Sequence, residues 1–85
     1  MSWQIAVVPK AQKEIAKLPS KDLEKVKEVI DIMSGDPFFG DIVKLGGEGK
    51  LWRRRVGSYR IFYELMFEKR IVIIHQVERR SSKTY

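Results

Sequence analysis

The sequence has no cysteine, a single histidine at position 75 and no long uninterrupted apolar stretch. Without cysteine there is no disulfide and no thiolate chemistry, which fits a reducing compartment. One histidine excludes a nuclease that works with two, and the acidic residues show no spacing typical of a metal cage. We therefore predict no metal and no cofactor. The N-terminus does not resemble a signal peptide and no segment reaches membrane-spanning length, so we expect a soluble, cytoplasmic protein without a membrane partner.

What the chain has in excess is positive charge. It contains 17 Lys and Arg against 11 Asp and Glu, a formal net charge of +6. Such a balance indicates a polyanionic partner, either nucleic acid or an acidic protein. The 85 residues are enough for one modest hydrophobic core, so we predict a single domain over residues 1–85.

The first half of the chain reads as a strand followed by two helices. Alternating side chains over residues 3–8 predict a short strand, and the apolar spacing within residues 9–18 predicts a short amphipathic helix that begins at Pro9. Ser20 is expected to cap a second helix that Gly35 ends. The apolar stripe of that helix comprises Leu23, Val26, Ile30 and Met33.

The second half reads as a sheet. Residues 36–50 are predicted to form a loop, and residues 51–56 and 59–65 a hairpin. Residues 70–77 contain an apolar run that is typical of a central strand covered on both faces. The predicted fold class is α+β: an N-terminal strand, an αα-hairpin and a mainly antiparallel sheet with the helices packed on one face.

The hairpin concentrates arginine on one face of the sheet. A turn at Gly57-Ser58 would place Arg55 opposite Arg60, and alternation adds Arg53 and Phe62 to their face. Like charges directly opposite each other are destabilising, which favours an anion bound between them. The alternative is a solvated basic face that only guards the strands against aggregation.

The glycine-rich segment and the C-terminal tail extend the basic character. Residues 46–50 do not form a phosphate-binding loop, because Leu51 stands where Ser or Thr is needed and Lys44 where the upstream glycine belongs. The tail, residues 78–85, is either a frayed basic end or part of a phosphate-binding surface.

Together, these residues resemble a toxin of the RelE/ParE superfamily, in its RelE-like branch. The resemblance covers nearly the whole chain and is most specific over Gly57 to Tyr63, which reads G-x-Y-R-x-x-Y; other parts are residues 7–13 and 44–46 and the closing arginine–tyrosine segment. It implies the toxin of a type II toxin–antitoxin system, which cuts mRNA in the ribosomal A site and is held inactive by a cognate antitoxin.

The resemblance also implies site residues. The expected catalytic positions are Arg53, Arg55, Arg60, either Arg79 or Arg80, and Tyr85. We further predict RNA contacts at Lys44, Lys50, Phe62 and Lys83.

Three departures from the branch stand out. The segment from Val77 to Tyr85 is spaced slightly differently from the best-known members, which leaves the choice between Arg79 and Arg80 open. Arg54 occupies a position where an apolar core residue is expected. Arginine at 53 and 55 replaces the lysine that the branch often carries, so the general base for cleavage stays unidentified. Two alternatives remain at this stage, a ParE-like inhibitor of DNA gyrase and a non-catalytic RNA-binding module.

Overall fold

The computed structural model describes residues 2–45 and 51–79 of the chain. Within these residues, two helices and five strands follow one another in the order β1 (Gln4–Val7), α1 (Pro9–Ala16), α2 (Ser20–Gly35), β2 (Ile42–Leu45), β3 (Leu51–Val56), β4 (Tyr59–Met66) and β5 (Ile71–Arg79). The strands form one sheet in the order β1-β5-β4-β3-β2. Among these described strands, β1 and β5 pair in parallel and the other neighbours pair antiparallel. The predicted α+β class with a mainly antiparallel sheet is confirmed.

The helices begin and end close to the expected residues. Pro9 is the first residue of α1, where its missing N–H is not needed. The prediction that Ser20 caps α2 is wrong: Ser20 is already helical and Pro19 takes the cap position. The cause is a backbone hydrogen bond of 2.8 Å from the N–H of Leu23 to the Pro19 carbonyl, which closes the first turn one residue early. Neither described helix is long and apolar enough to cross a membrane.

Both helices cover the same face of the sheet, and the hydrophobic core lies between the helices and that face. The buried apolar side chains come from every layer: Ala11, Val26, Met33, Tyr59, Ile61, Tyr63, Leu65, Val72, Ile74 and Val77. The strands contribute alternate residues to this core, so the other face of the sheet is left without helices. We call that other face the open face; among the residues that project from it are Arg53, Arg55, Arg60, Phe62, Glu64, His75, Gln76 and Glu78.

The sheet differs from the prediction in two places. Strand β2 lies inside the segment predicted to be a loop, and it pairs with β3 from Ile42–Arg54 to Leu45–Leu51. Four residues with weak alternation do not identify a strand from sequence. Strand β2 forms because its backbone hydrogen-bonds to the edge of β3, a segment that is distant along the chain. The prediction that the last strand is covered on both faces is wrong. Burial alternates along β5 (Ile71–Arg79), as expected for a strand with the core on one face.

Candidate functional site

The predicted arginine hairpin is present with the predicted register. Arg55 lies opposite Arg60 and Val56 opposite Tyr59. Gly57 begins the turn with φ 56°, the left-handed value that the first residue of a tight hairpin turn needs. Arg53 lies opposite Phe62 on the same face. The structure therefore brings together four of the predicted site residues on the open face.

Carboxylates accompany the two facing arginines. Arg60 Nη2 lies 2.7 Å from Glu78 Oε2, and Arg55 Nε lies 3.7 Å from Asp41 Oδ2. The sequence predicted a bound anion that relieves the repulsion between these arginines. Asp41 and Glu78 already relieve part of it, so the repulsion alone does not demand a ligand.

Arg53 differs from the other two open-face arginines. It forms no ion pair with any residue in the described ranges 2–45 and 51–79. The buried Nε atoms of Arg53 and Arg60 also make no hydrogen bond within those ranges. Unsatisfied donors of this kind are uncommon in native proteins and call for a partner beyond the described residues. The guanidinium of Arg53 therefore has donor capacity for a phosphate.

Arg54, which lies between Arg53 and Arg55 in the sequence, points into the protein. Its side chain is only 7% exposed. Nη1 donates a hydrogen bond to the carbonyl of Phe39, and the guanidinium lies 5.7 Å from the centre of the Phe39 ring. Gly40 has φ 98°, and a Cβ there would collide with the guanidinium. Arg54 thus fills the expected core position while it fastens the segment before β2.

That fastened segment leads directly to the open face. The backbone N–H of Arg55 donates to the carbonyl of Asp41 at 2.9 Å. Tyr63 holds the same segment from the core, since its hydroxyl donates to the Pro37 carbonyl at 2.8 Å. Burial raises the pKa of the Tyr63 phenol to about 12, and the nearby Arg54 charge opposes that rise. Arg54 and Tyr63 therefore position the acidic partner of Arg55.

Two predicted site residues lie on the helix-covered face instead. Arg79 is opposite Tyr59, and Lys44 is opposite Trp52. Paired residues project to the same side of a sheet, so neither side chain joins the open-face arginines. Asp22 accepts a 2.8 Å hydrogen bond from the Tyr59 hydroxyl. That bond raises the pKa of Tyr59, and the positive charge of Arg79 counteracts the rise.

Lys50, Arg80, Lys83 and Tyr85 lie outside the described residues. Of the predicted RNA contacts, only Phe62 is placed on the open face. It is half-buried and lies between Arg53 on β3 and Gln76 on β5.

Sequence reasoning missed a pair of titratable side chains on the open face. His75 Nε2 lies 3.0 Å from Glu64 Oε1, with 42% and 32% of the respective side chains exposed. The sheet register shifts here, since Phe62 pairs with Gln76 but Tyr63 pairs with Ile74. His75 is the extra residue of this β-bulge. A signal existed in the sequence: the core residues of β5 change from even positions (Val72, Ile74) to an odd one (Val77).

No cluster of three or more His, Cys, Asp or Glu side chains suited to a metal occurs within residues 2–45 and 51–79. The titratable groups described on the open face are guanidinium groups, carboxylates and one imidazole.

Several solved structures with the same arrangement of helices and sheet contain RelE proteins. A RelE–RelB complex of Pyrococcus horikoshii matches with a TM-score of 0.84 and 25% identity, covering 98% of this chain and 100% of the other. A RelBE toxin–antitoxin complex of Mycobacterium tuberculosis matches with a TM-score of 0.83 and 26% identity, covering 94% and 100%. The fold is therefore RelE-like, as predicted.

A curated relative supports the same conclusion at the level of sequence. RelE1 of Methanocaldococcus jannaschii, named as a candidate toxin, is 30% identical over 83 residues, which cover 94% of this chain and 92% of the relative. No family model matches the chain. The chain belongs to the RelE family of toxins. The ParE-like alternative is not favoured.

Proposed function

We propose that this RelE-family protein cleaves mRNA on the ribosome, without a metal, as the toxin of a toxin–antitoxin pair. The observation that carries the proposal is the grouping of Arg53, Arg55 and Arg60 on the open face, with Arg53 unpaired among the described residues. A phosphate of the RNA backbone fits that group, because the guanidinium fork binds two phosphate oxygens at once.

The proposed reaction is an attack by a ribose 2′-hydroxyl on the neighbouring phosphorus. Negative charge builds on the phosphate oxygens as the pentavalent transition state forms. Fixed cations that face this charge lower the barrier, and each such donor commonly contributes about 10²–10³ in rate. The ribosome would hold the mRNA in place and so supply much of the remaining acceleration through orientation.

Of the two late arginines, we propose Arg80 as the one that contacts RNA. Arg79 projects to the helix-covered face opposite Tyr59, away from Arg53 and Arg60. Separate Arg79→Gln and Arg80→Gln variants test the choice: we expect Arg80→Gln to lose cleavage and Arg79→Gln to keep it. Tyr85 remains a proposed base-stacking residue, for which Tyr85→Phe should retain cleavage.

The second partner we propose is an antitoxin protein with an acidic or amphipathic segment that folds on binding. The net charge of +6 supports this partner, and the matching P. horikoshii and M. tuberculosis structures are toxin–antitoxin complexes. Co-expression with the adjacent small gene should yield a complex with a lower net positive charge. A harmless chain that purifies alone from that co-expression would contradict the proposal.

The decisive experiment uses purified ribosomes programmed with a defined mRNA. We expect the wild-type protein to cut within the A-site codon and Arg53→Gln to lose most of that activity. Arg70→Gln is the matched control, because Arg70 is exposed in the turn between β4 and β5, at the opposite end of the hairpin from Gly57. A parallel gyrase supercoiling assay tests the ParE-like alternative. Cleavage by Arg53→Gln at the wild-type rate, or inhibition of gyrase without cleavage, would overturn the proposal.

A further inference from the structure

We infer that His75, held by Glu64, is the general base of the RNA cleavage reaction. The inference rests on the proposed function and supplies a group that the arginines do not provide. Guanidinium groups stay protonated in proteins and so do not accept the proton of the 2′-hydroxyl. Imidazole is the side chain best suited to exchange a proton near neutral pH, and the chain has one histidine.

The position of His75 follows from the β-bulge in β5. The bulge leaves His75, Gln76 and Glu78 on the open face and returns Val77 to the core. Bulges are common beside active sites, where they re-aim a side chain.

The register places this pair beside the arginines. Arg53 lies opposite Phe62, so its diagonal neighbours on β4 are Arg60 on one side and Glu64 on the other. Diagonal neighbours in an antiparallel pair are about 7–8 Å apart, a distance that long side chains such as these bridge. A phosphate on Arg53 and Arg60 would therefore lie beside the Glu64–His75 pair.

The contact with Glu64 selects the tautomer of the imidazole. An ionised carboxylate only accepts hydrogen bonds, so at the 3.0 Å contact Nε2 carries the proton and its N–H donates the hydrogen bond to Glu64 Oε1. In the neutral ring this leaves the lone pair on Nδ1. Glu64 also stabilises the imidazolium that forms when Nδ1 takes up a proton, which is the role of the carboxylate in histidine-based catalysis generally.

The step balances without any further reactant. Nδ1 of His75 takes the 2′-hydroxyl proton as the 2′-oxygen bonds to phosphorus, and the bond from phosphorus to the 5′-oxygen breaks. The products are a 2′,3′-cyclic phosphate and a 5′-hydroxyl. Water protonates the leaving 5′-oxygen, and the imidazolium returns its proton to the resulting hydroxide.

Glu78 is the competing base on this face, and its contacts disfavour it. Its carboxylate binds Arg60 at 2.7 Å and accepts a 2.8 Å hydrogen bond from Gln76 Nε2. Each carboxylate oxygen already has a donor, Arg60 at Oε2 and Gln76 at Oε1, so neither is free to accept the 2′-hydroxyl proton. His75, by contrast, contacts a negative group.

The test is single-turnover cleavage of ribosome-bound mRNA between about pH 5 and 8, the range in which imidazole titrates. Charged groups around His75 are Glu64 and Arg60 on β4, Arg53 and Arg55 on β3, and Glu78 on β5; β1 presents uncharged Gln4 and Ala6. We expect the wild-type rate to rise with pH and level off. His75→Gln should lose that rise and at least about 10² in rate, the usual contribution of a general base.

Two further measurements separate catalysis from structure. Added imidazole should restore part of the activity of His75→Ala, which a purely structural histidine would not show. Glu64→Gln should lose part of the rate and keep a pH-dependent rise. Should the histidine variants not fold, histidine-selective carbethoxylation of the wild type serves instead, because the chain has one histidine; inactivation that hydroxylamine reverses is expected.

These measurements test the proposed function and the role of His75 separately. Wild-type protein that does not cut programmed ribosomes overturns the proposed function and the role of His75 with it. Wild-type protein that cuts, together with a His75→Gln variant of equal rate and unchanged pH profile, overturns the role of His75 alone.

Discussion

Strand β3 carries three consecutive arginines that meet two different environments. Arg54 projects toward the helices and is buried, whereas Arg53 and Arg55 project from the open face and are partly or largely exposed. One residue type therefore serves two purposes on the two sides of one strand. A run of arginines is therefore not one functional unit, because the alternation of side chains along a strand places its members on opposite faces of the sheet.

The groups that contact these arginines also differ between the two faces of the sheet. Arg54 meets a carbonyl and an aromatic ring, which hold it to the segment before β2. Arg55 and Arg60 meet carboxylates at contacts that remain accessible to water. Exposed ion pairs contribute about 0–1 kcal/mol, while a buried polar group that loses its partner costs about 1–3 kcal/mol. We therefore expect stability to depend on Arg54, and activity on its neighbours.

The largest expected effect is on activity at the open face. Arg60→Gln should lower ribosome-dependent cleavage by about 10²–10³, because a cation near the transition state is lost. The free energy of unfolding should change by less than about 1 kcal/mol, since the pair with Glu78 is partly exposed. Cleavage assays and urea denaturation of the same preparation measure both. A strongly destabilised variant that still cuts mRNA would make Arg60 structural and remove the contrast between the faces.

The next effect is on stability at the helix-covered face. Arg54→Ala should lower the free energy of unfolding by about 3 kcal/mol, because the Phe39 carbonyl loses its hydrogen-bond donor and a cavity is left. Arg53→Ala, one residue away, is the control and should unfold like the wild type. Equal denaturation midpoints for the two variants would show that the burial of Arg54 has no energetic consequence.

A smaller loss of stability is expected for a substitution of Gly40, which packs against the Arg54 guanidinium. Gly40→Ala should destabilise the fold by about 2 kcal/mol, since its φ of 98° disfavours a side chain and the guanidinium occupies the space of a Cβ. Gly35→Ala provides the comparison, because no atom lies within 4 Å of a Cβ there. Thermal unfolding of both variants should show a loss only for Gly40→Ala.

The smallest effect concerns the hydroxyl of Tyr63. Tyr63→Phe should cost about 1 kcal/mol through the lost hydrogen bond to the Pro37 carbonyl. The folded pKa of about 12 exceeds the ordinary value of 10.0, so the unfolded state releases this proton first as pH rises. Stability should therefore be retained below pH 10 and fall between pH 10 and 12, through the window that these two values define. Denaturation at several alkaline pH values should show a shallower fall for Tyr63→Phe.

Much of the fold was predictable because its signals are local. The helical spacing before Leu18, the glycine at position 57 and the alternation of β3 and β4 each depend on neighbours in sequence, and the structure confirms the elements they predict. Strand β2 and the β-bulge at His75 escaped prediction because each is defined by its pairing with another strand.

The charge, the two helices and the face on which Arg53, Arg55 and Arg60 project all follow from the sequence alone, because side-chain direction along a strand follows from its period of two. Which charges meet depends on how the strands are assembled. That assembly joins Glu78 to Arg60, Asp41 to Arg55 and Glu64 to His75, and it turns Arg79 toward the helices. These contacts depend on strand order and on a one-residue bulge, which link segments distant in sequence and carry no local pattern.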